Sequence, residues 1–566
     1  DFDGFIAIYN NDGTIDKVQS YGYEGEQRII QLQQEESGAL YAVGTMECIS
    51  NNVYIFGKWV SCPNSSGEGN GLFIAKLDLD LNADWVTGVG LGYGDGEIIS
   101  FAELSDGSLA MCGTHSEGDV EIGSFEEENS LEGVQQLICS KLSSTTGNAL
   151  WLSNVDMSDR YEEMWIRGLV VDSQDNIVMT GNFIGTASFG SISTIASAGN
   201  EDTGDLFVAS IDASGDWNWA IAGGGQDSDS GNAILIDSDG KYRIYGGMTG
   251  SAAIGNTMLT GSDSGASYPI TATITTNGAW SSAKYFDHSG NNGFAITAES
   301  LTEDLQIVWF IYNSQLTLDN SMLLGPNNGD FNNLGIGMYN SSLDRWVGTE
   351  EIVDLEESGV EGFAMSLDSS KEGYITMSGY YSGGTNPFPG HDVITDGSYN
   401  AFVLSYELDT DLDGLLNSED YCEYGATGWV SDYTTDHDSD GCKDSDIEDL
   451  DDDNDGVQDP VDEANPVWGE DHCFRGALGW VSDSSSDYDS DGCQDSGVED
   501  LDDDNDGVVD PVDLSNPMAG EDFCHKGDLN WTSDTATDWD MDGCRDDSSE
   551  DTDDDNDGVV DPVDVQ

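Results

Sequence analysis

Aspartates set on alternate residues just ahead of a glycine are the chemically loaded feature of this chain. The fullest run is Asp451, Asp453, Asp455, Gly456, Val457, Asp459 and Asp462; it recurs at Asp502, Asp504, Asp506, Val508, Asp510, Asp513 and at Asp553, Asp555, Asp557, Val559, Asp561, Asp564. A curling loop turns residues 1, 3 and 5 inward, glycine at 6 makes the sharp turn, the carbonyl of residue 7 faces in, and residues 9 and 12 close the shell. Such a loop offers the roughly six to eight hard oxygens, at about 2.3–2.6 Å, that Ca2+ requires. A second set reads Asp436, Asp438, Asp440, Asp444 and, one place late, Glu448, with copies Asp487, Asp489, Asp491, Asp495, Glu499 and Asp538, Asp540, Asp542, Asp546, Glu550. One more loop opens the series with Asp409, Asp411, Asp413, Leu415, Asn417 and Asp420. One loop plus three pairs makes seven expected calcium sites. Asp452 falls between ligand positions and is expected to face water.

The elements that carry these loops repeat every 51 residues: Cys422, Cys473, Cys524; Trp429, Trp480, Trp531; Cys442, Cys493, Cys544. Pairing within units (Cys422–Cys442, Cys473–Cys493, Cys524–Cys544) leaves no cysteine over, whereas pairing between units strands Cys422 and Cys544. Zinc is the alternative, but the hard-oxygen surroundings and the lack of a CxxC motif favour disulfides. Loops of this kind, in register with periodic cysteine and tryptophan, resemble thrombospondin type 3 repeats over about 409–566. The resemblance implies an elongated, irregular arm over 407–566, with units starting near 422, 473 and 524, in which calcium replaces a hydrophobic core.

Upstream, over 1–406, a strand-like phrase recurs at about 66-residue spacing: GFIAIYNNDG from Gly4, LFIAKLDLDLN from Leu72, LICSKLSSTTG from Leu137, LFVASIDASGD from Leu206, with weaker copies from Ile270, Leu334 and Ala401. A tryptophan segment follows (Trp85, Trp151, Trp217 and Trp219, Trp280, Trp346), then a hairpin around DG or DN, such as IRGLVVDSQDNIVMTGN. Apolar alternation flanking such a dipeptide is a strong hairpin signal. Four short strands per unit and no helical periodicity predict an all-β fold, a β-propeller of six blades with seven as the alternative. The phrases resemble the SBBP-type propeller repeats. Seven first-phrase strands against six hairpins leave one strand surplus, expected to close the ring by pairing N- and C-terminal strands in one blade. Cys48–Cys62 and Cys112–Cys139 are expected to bridge the excursions from a hairpin to the next strand.

Charge narrows the function. The 566 residues carry 16 Lys+Arg against 111 Asp+Glu, a net charge of −95. Residues 407–566 alone hold 54 of the acids and 4 of the bases. Phosphate neutralisation needs a basic stripe, so nucleic acid is excluded as a partner, and an anionic membrane surface is repelled. No run of eighteen apolar residues provides a transmembrane segment. Ten cysteines, and a start at Asp1 without a leader, predict a secreted or cell-surface protein in an oxidising compartment. The six histidines show no metal pairing, and Asp263 stands where GSDSG would need a nucleophilic serine. The expectation is therefore no enzyme. It is an extracellular, calcium-rigidified structural protein that self-associates into a fibre, layer or matrix. The alternatives are a propeller that binds a glycan or cell-surface protein on a calcium stalk and, last, a secreted hydrolase.

Overall fold

The computed structural model describes residues 4–560 apart from 11–13, 22–25, 35–39, 49–51, 62–69, 92–95, 117, 128–133, 200–202, 262–264, 287–292, 303, 313–314, 319–320, 324–332, 354–358, 368–373, 383–398, 412, 463, 468 and 557–559. The chain forms two compact units, Asp1–Leu367 with Thr376–Ser405, and Asp368–Ile375 with Tyr406–Gln566. No helix occurs among the described residues.

The first unit is a propeller-like ring of antiparallel sheets. One four-stranded order recurs along the chain. It runs Gln27–Gln34, Leu40–Glu47, Asn70–Leu77, Ala83–Leu91, then Gly96–Glu103, Leu109–Ser116, Gln135–Leu142, Ala149–Asn154. Next come Glu163–Val171, Ile177–Ile184, Asp205–Ile211, Trp217–Gly225 and Asp229–Ile236, Tyr242–Thr249, Ser267–Ile274, Trp280–Tyr285. The last four-stranded copy is Gly293–Ser300, Leu305–Tyr312, Asn333–Asn340, Arg345–Val353. A three-stranded sheet follows, Gly359–Leu367, Tyr374–Ser382 and Tyr399–Glu407. The first strands of successive sheets pack on one another, Gly96–Glu103 on Glu163–Val171, that on Asp229–Ile236, and that on Gly293–Ser300. They form the inner wall.

The periodic tryptophans explain the spacing. Trp85 Nε1 donates to Ser144 O (2.9 Å), Trp151 Nε1 to Ala213 O (2.9 Å) and Trp219 Nε1 to Thr276 O (3.2 Å), each reaching the turn of the next sheet about one repeat away. That turn must be bare. A Cβ on Gly147, Gly215 or Gly278 would lie 2.5, 2.9 and 2.4 Å from the ring of Trp85, Trp151 and Trp219, and all three glycines are left-handed. The tryptophan of one repeat and the glycine of the next therefore form a single staple.

Two expectations are corrected. Each of the five four-stranded copies carries further strands, because a short hairpin sits between its second and third strands: Asn52–Ile55 with Lys58–Ser61, Val120–Ile122 with Phe125–Glu127, Thr186–Phe189 with Ser193–Ala196, Ser251–Ile254 with Thr257–Thr260, and Leu316–Leu318 with Ser321–Leu323. Gly57, Gly123, Gly190 and Gly255 turn the first four at positive φ. The N- and C-terminal strands also do not share a sheet. Among the described residues Gly4–Tyr9 pairs with Ile15–Tyr21, and Tyr399–Glu407 pairs with Tyr374–Ser382. Cys112–Cys139 links directly opposed residues of neighbouring strands. Cys48 is disulfide-bonded, and Cys62 lies outside the described residues.

Candidate metal centre

In the loop beginning at Asp451, Asn454 (φ 55°) and Gly456 (φ 94°) are both left-handed, and this double reversal curls the chain. One oxygen each of Asp451, Asp453 and Asp455 comes within 4.8 Å of the others. Backbone amides hold the carboxylates in place: Asp451 Oδ1 and Oδ2 accept from Asp455 N (3.2 Å) and Gly456 N (3.0 Å), and Asp455 Oδ1 accepts from Val457 N (2.7 Å). The same convergence is found in Asp409/Asp411/Asp413, Asp436/Asp438/Asp440 and Asp487/Asp489/Asp491. Asp502 and Asp506 repeat the amide pattern, with Asp506 N and Gly507 N on Asp502 and Val508 N on Asp506. Leu415 N likewise donates to Asp413. In the third unit Asp538 accepts from Asp542 N and Gly543 N, and burial pushes the Asp540 carboxyl up to about 6, with Asp542 adding to it. Asp553 and Asp555 are described; Asp557, Val559, Asp561 and Asp564 lie outside the described residues.

In the loops beginning at Asp451 and Asp502, position 12 is set apart from the converging aspartates. Asp462 and Asp513, at position 12, are exposed and cap the following turns, accepting from Ala464 N (3.3 Å) and Ser515 N (3.1 Å). Asp471 and Asp522 take the place, both fully buried. Burial first, then Asp453, Asp455 and Asp451, push the Asp471 carboxyl up to about 8, and Asp522 reaches about 8 in the same way against Asp504, Asp506 and Asp510. Their 51-residue equivalent is Asp420, pushed up to about 7 by burial and then by Asp413 and Asp409. An insertion between the glycine and the closing aspartate moved that aspartate out of the contiguous register. Two residues before each unit's first cysteine was the signal that would have found it. Gly441, Gly492 and Gly543 leave it room, since a Cβ there would lie 2.2, 2.1 and 2.1 Å from the carboxylates of Asp420, Asp471 and Asp522.

The other outlying positions have different work. At position 9, Asn417, Asp444, Asp459, Asp495, Asp510 and Asp546 each accept from the amide of residue 2 in their loop, namely Thr410, His437, Asp452, Tyr488, Asp503 and Trp539. They brace the loop. Burial raises the carboxyls of Asp413, Asp453 and Asp504, and the charges of Glu448, Glu499 and Glu550, which reach back to the preceding loop, add to it. Each of these glutamates also accepts from an amide of its own loop, Lys443 N (3.2 Å), Gln494 N (3.1 Å) and Arg545 N (3.0 Å), while burial, then neighbouring Asp440 and Asp491 respectively, push Asp449 up to about 6 and Asp500 up to about 7 beside the same loops. Asp452 is 2% exposed rather than facing water. It converges with Asp444 and Asp449, and Arg475 of the next unit binds both Asp452 (2.9 Å) and Asp444 (2.8 Å). Lys526 does the same for Asp495 and Asp503. A protein cation therefore fills this cluster.

Oxygens left over in the 1-3-5 loops test whether a metal fits. Asp413 Oδ2, Asp420 Oδ2, Asp455 Oδ2, Asp471 Oδ2, Asp506 Oδ2 and Asp522 Oδ2 are buried with no hydrogen-bond partner. A buried carboxylate oxygen is costly unless something positive meets it. The donor set, all hard oxygen, fits a metal cation. The arm is stapled by Cys422–Cys442, Cys473–Cys493 and Cys524–Cys544, with Cα–Cα distances of 5.1, 5.1 and 5.2 Å.

No known protein family matches the chain, and no curated protein does. Among solved structures it is similar to an ulvan lyase of a polysaccharide lyase family (10% identity, 63% of this chain and 76% of that one, TM-score 0.30). It is also similar to an α-L-arabinofuranosidase from Fusarium graminearum (11%, 54% and 91%, 0.25) and to an N-acetylgalactosamine deacetylase from F. plautii (10%, 69% and 93%, 0.28). These neighbours are enzymes, so the sequence-based exclusion of an enzyme is withdrawn. At this level of similarity none of their activities transfers to the chain.

Proposed function

We propose that this is an extracellular structural protein whose acidic arm, of thrombospondin type 3 character, is made rigid by calcium and carries an SBBP-type propeller, and that such protomers associate into a fibre, layer or matrix. The observation that carries the reading is the set of buried, partnerless carboxylate oxygens of Asp413, Asp455, Asp471, Asp506 and Asp522. Calcium, when bound, supplies the positive charge these oxygens face. The chain's own part is to hold the oxygens converged through amides such as Gly456 N and Val457 N, and to brace the loop from position 9. Hard carboxylate oxygens favour calcium over softer metals. Disulfides and the absence of a long apolar helix among the described residues support an oxidising, extracellular setting. With a net charge of −95, protomers repel one another until dications neutralise them, so calcium also favours assembly. Sedimentation over a calcium series, with electron micrographs, tests assembly: calcium-dependent growth beyond the monomer is expected, and a monomer throughout, without filaments or arrays, contradicts it.

A further inference from the structure

The inner wall of the first unit carries a feature unrelated to the arm. Where the sheets beginning at Glu163, Asp229 and Gly293 meet, a cavity of about 560 Å³ opens, within the size range of small-ligand sites. The three inner strands each break register once, between Ile166 and Gly168, Gly231 and Ala233, and Ala295 and Thr297. The unpaired residues are Arg167, Asn232 and Ile296, and all three line the cavity. A bulge re-aims a side chain out of the strand's alternation, and three aligned bulges aim three side chains at one space.

Their chemistry converges. Asn232 Nδ2 donates to Ala295 O (2.7 Å), which ties the two sheets together under the cavity and leaves its Oδ1 for a ligand. Gly247, where a Cβ would lie 3.0 Å from Phe294 Cβ, lets that aromatic ring pack at the wall. Asp229 is turned into the wall, bonded to Gly225 N (2.7 Å) and Thr249 N (3.2 Å). Burial, then the charge of Asp205, push its carboxyl up to about 7, which limits the negative charge it presents. Arg167 is exposed and hydrogen-bonds only through Nε, to Asn182 (3.4 Å), so it has no carboxylate partner among the described residues. Arg167 thus presents to the cavity a guanidinium that forms no ion pair among the described residues.

We propose that this cavity binds a carboxylate-bearing sugar residue of an acidic glycan. Arg167 takes the carboxylate through its planar fork, Asn232 takes hydroxyls, and Phe294 covers an apolar sugar face. One guanidinium without a second cation suits a singly charged carboxylate better than a phosphate. The site stands independently of the calcium reading of the arm.

The test is calorimetric titration of the full chain, at fixed calcium and again in chelator, with uronic-acid trimers (galacturonate, glucuronate, mannuronate) against neutral maltotriose. At least one acidic trimer is expected to saturate at least tenfold more tightly than the neutral one. Arg167→Gln should erase that preference with unchanged melting of the sheet unit, Arg167→Lys should restore part of it, and Phe294→Ala should weaken acidic and neutral ligands alike. Binding should persist in chelator. The proposal is overturned if no acidic trimer saturates, if Arg167→Gln keeps the preference, or if chelator abolishes binding and thereby assigns it to metal.

Discussion

The two compact units bury opposite chemistry. The sheet unit buries large apolar side chains such as Phe73, Phe183, Phe207 and Tyr245. In the described arm the buried apolar residues are Leu408, Pro460, Pro511 and the cysteines Cys442, Cys493 and Cys544, while Asp411, Asp413, Asp436, Asp455, Asp471, Asp487, Asp506, Asp522 and Asp538 are buried as well. Ordering a backbone costs about 1–2 kcal/mol per residue in either unit. Apolar burial offsets that cost with nothing added, whereas a core of carboxylates does so only when a cation is supplied. The same contrast separates two ways of joining repeats: an indole reaching a glycine turn in the sheets, and Arg475 or Lys526 reaching an acid cluster in the arm.

The strongest way to sharpen this contrast is to damage one core and watch the other. Phe207 is fully buried and packs edge-on to Phe183. Phe207→Ala should cost the sheet unit about 3–5 kcal/mol, with the arm's calcium stoichiometry unchanged by calorimetry.

Within the arm, Asp471→Asn should weaken one calcium site at least tenfold and lower the arm's melting temperature, whereas Asp462→Asn, at an exposed turn, should change neither. Calcium titration of the two variants checks this. Equal effects would return the ligand set to the contiguous twelve-residue register.

The pH response should also have opposite signs with and without metal. Asp411, Asp471 and Asp522 are pushed up to about 8 by burial and by their neighbours. The metal-free folded arm therefore binds more protons than the unfolded chain between about pH 4 and 8, and its stability falls as pH rises through that window. Calcium needs the deprotonated form, so its affinity rises over the same window. Hydrogen exchange of the arm at pH 5 and pH 8, in chelator and in calcium, reads both slopes.

The smallest effect belongs to the inter-sheet staple. Trp151→Phe removes the bond to Ala213 O but keeps most of the ring over Gly215, so a loss of about 1 kcal/mol is expected in denaturant melts, confined to the sheet unit.

These contrasts also mark what the sequence made legible. The sheet repeats were visible because a strand's alternation and a DG or DN turn are local signals. The 1-3-5 aspartates were visible because three ligands lie within five residues of one another. Asp471 and Asp522 were hidden by an insertion that broke the contiguous loop, although the 51-residue period maps Asp420 onto both. Asp452 was misplaced for a related reason: a strict inside-outside alternation ignores that Arg475, 23 residues on, returns to bury it. The inserted hairpins were too short to show a period, and the bulges at Arg167, Asn232 and Ile296 leave no mark in composition because they are set by pairing with the neighbouring strand.

The central claim is that the arm's core is completed by calcium and the sheets' core is not. Hydrogen exchange on the full chain, followed while a chelator is titrated against bound calcium, tests it most directly. The account predicts loss of protection through 409–556, including the amides of Gly456, Val457 and Cys473, with protection of Phe73, Phe183 and Phe207 retained. Unchanged protection in the arm at full chelation, or parallel loss in both units, would contradict it.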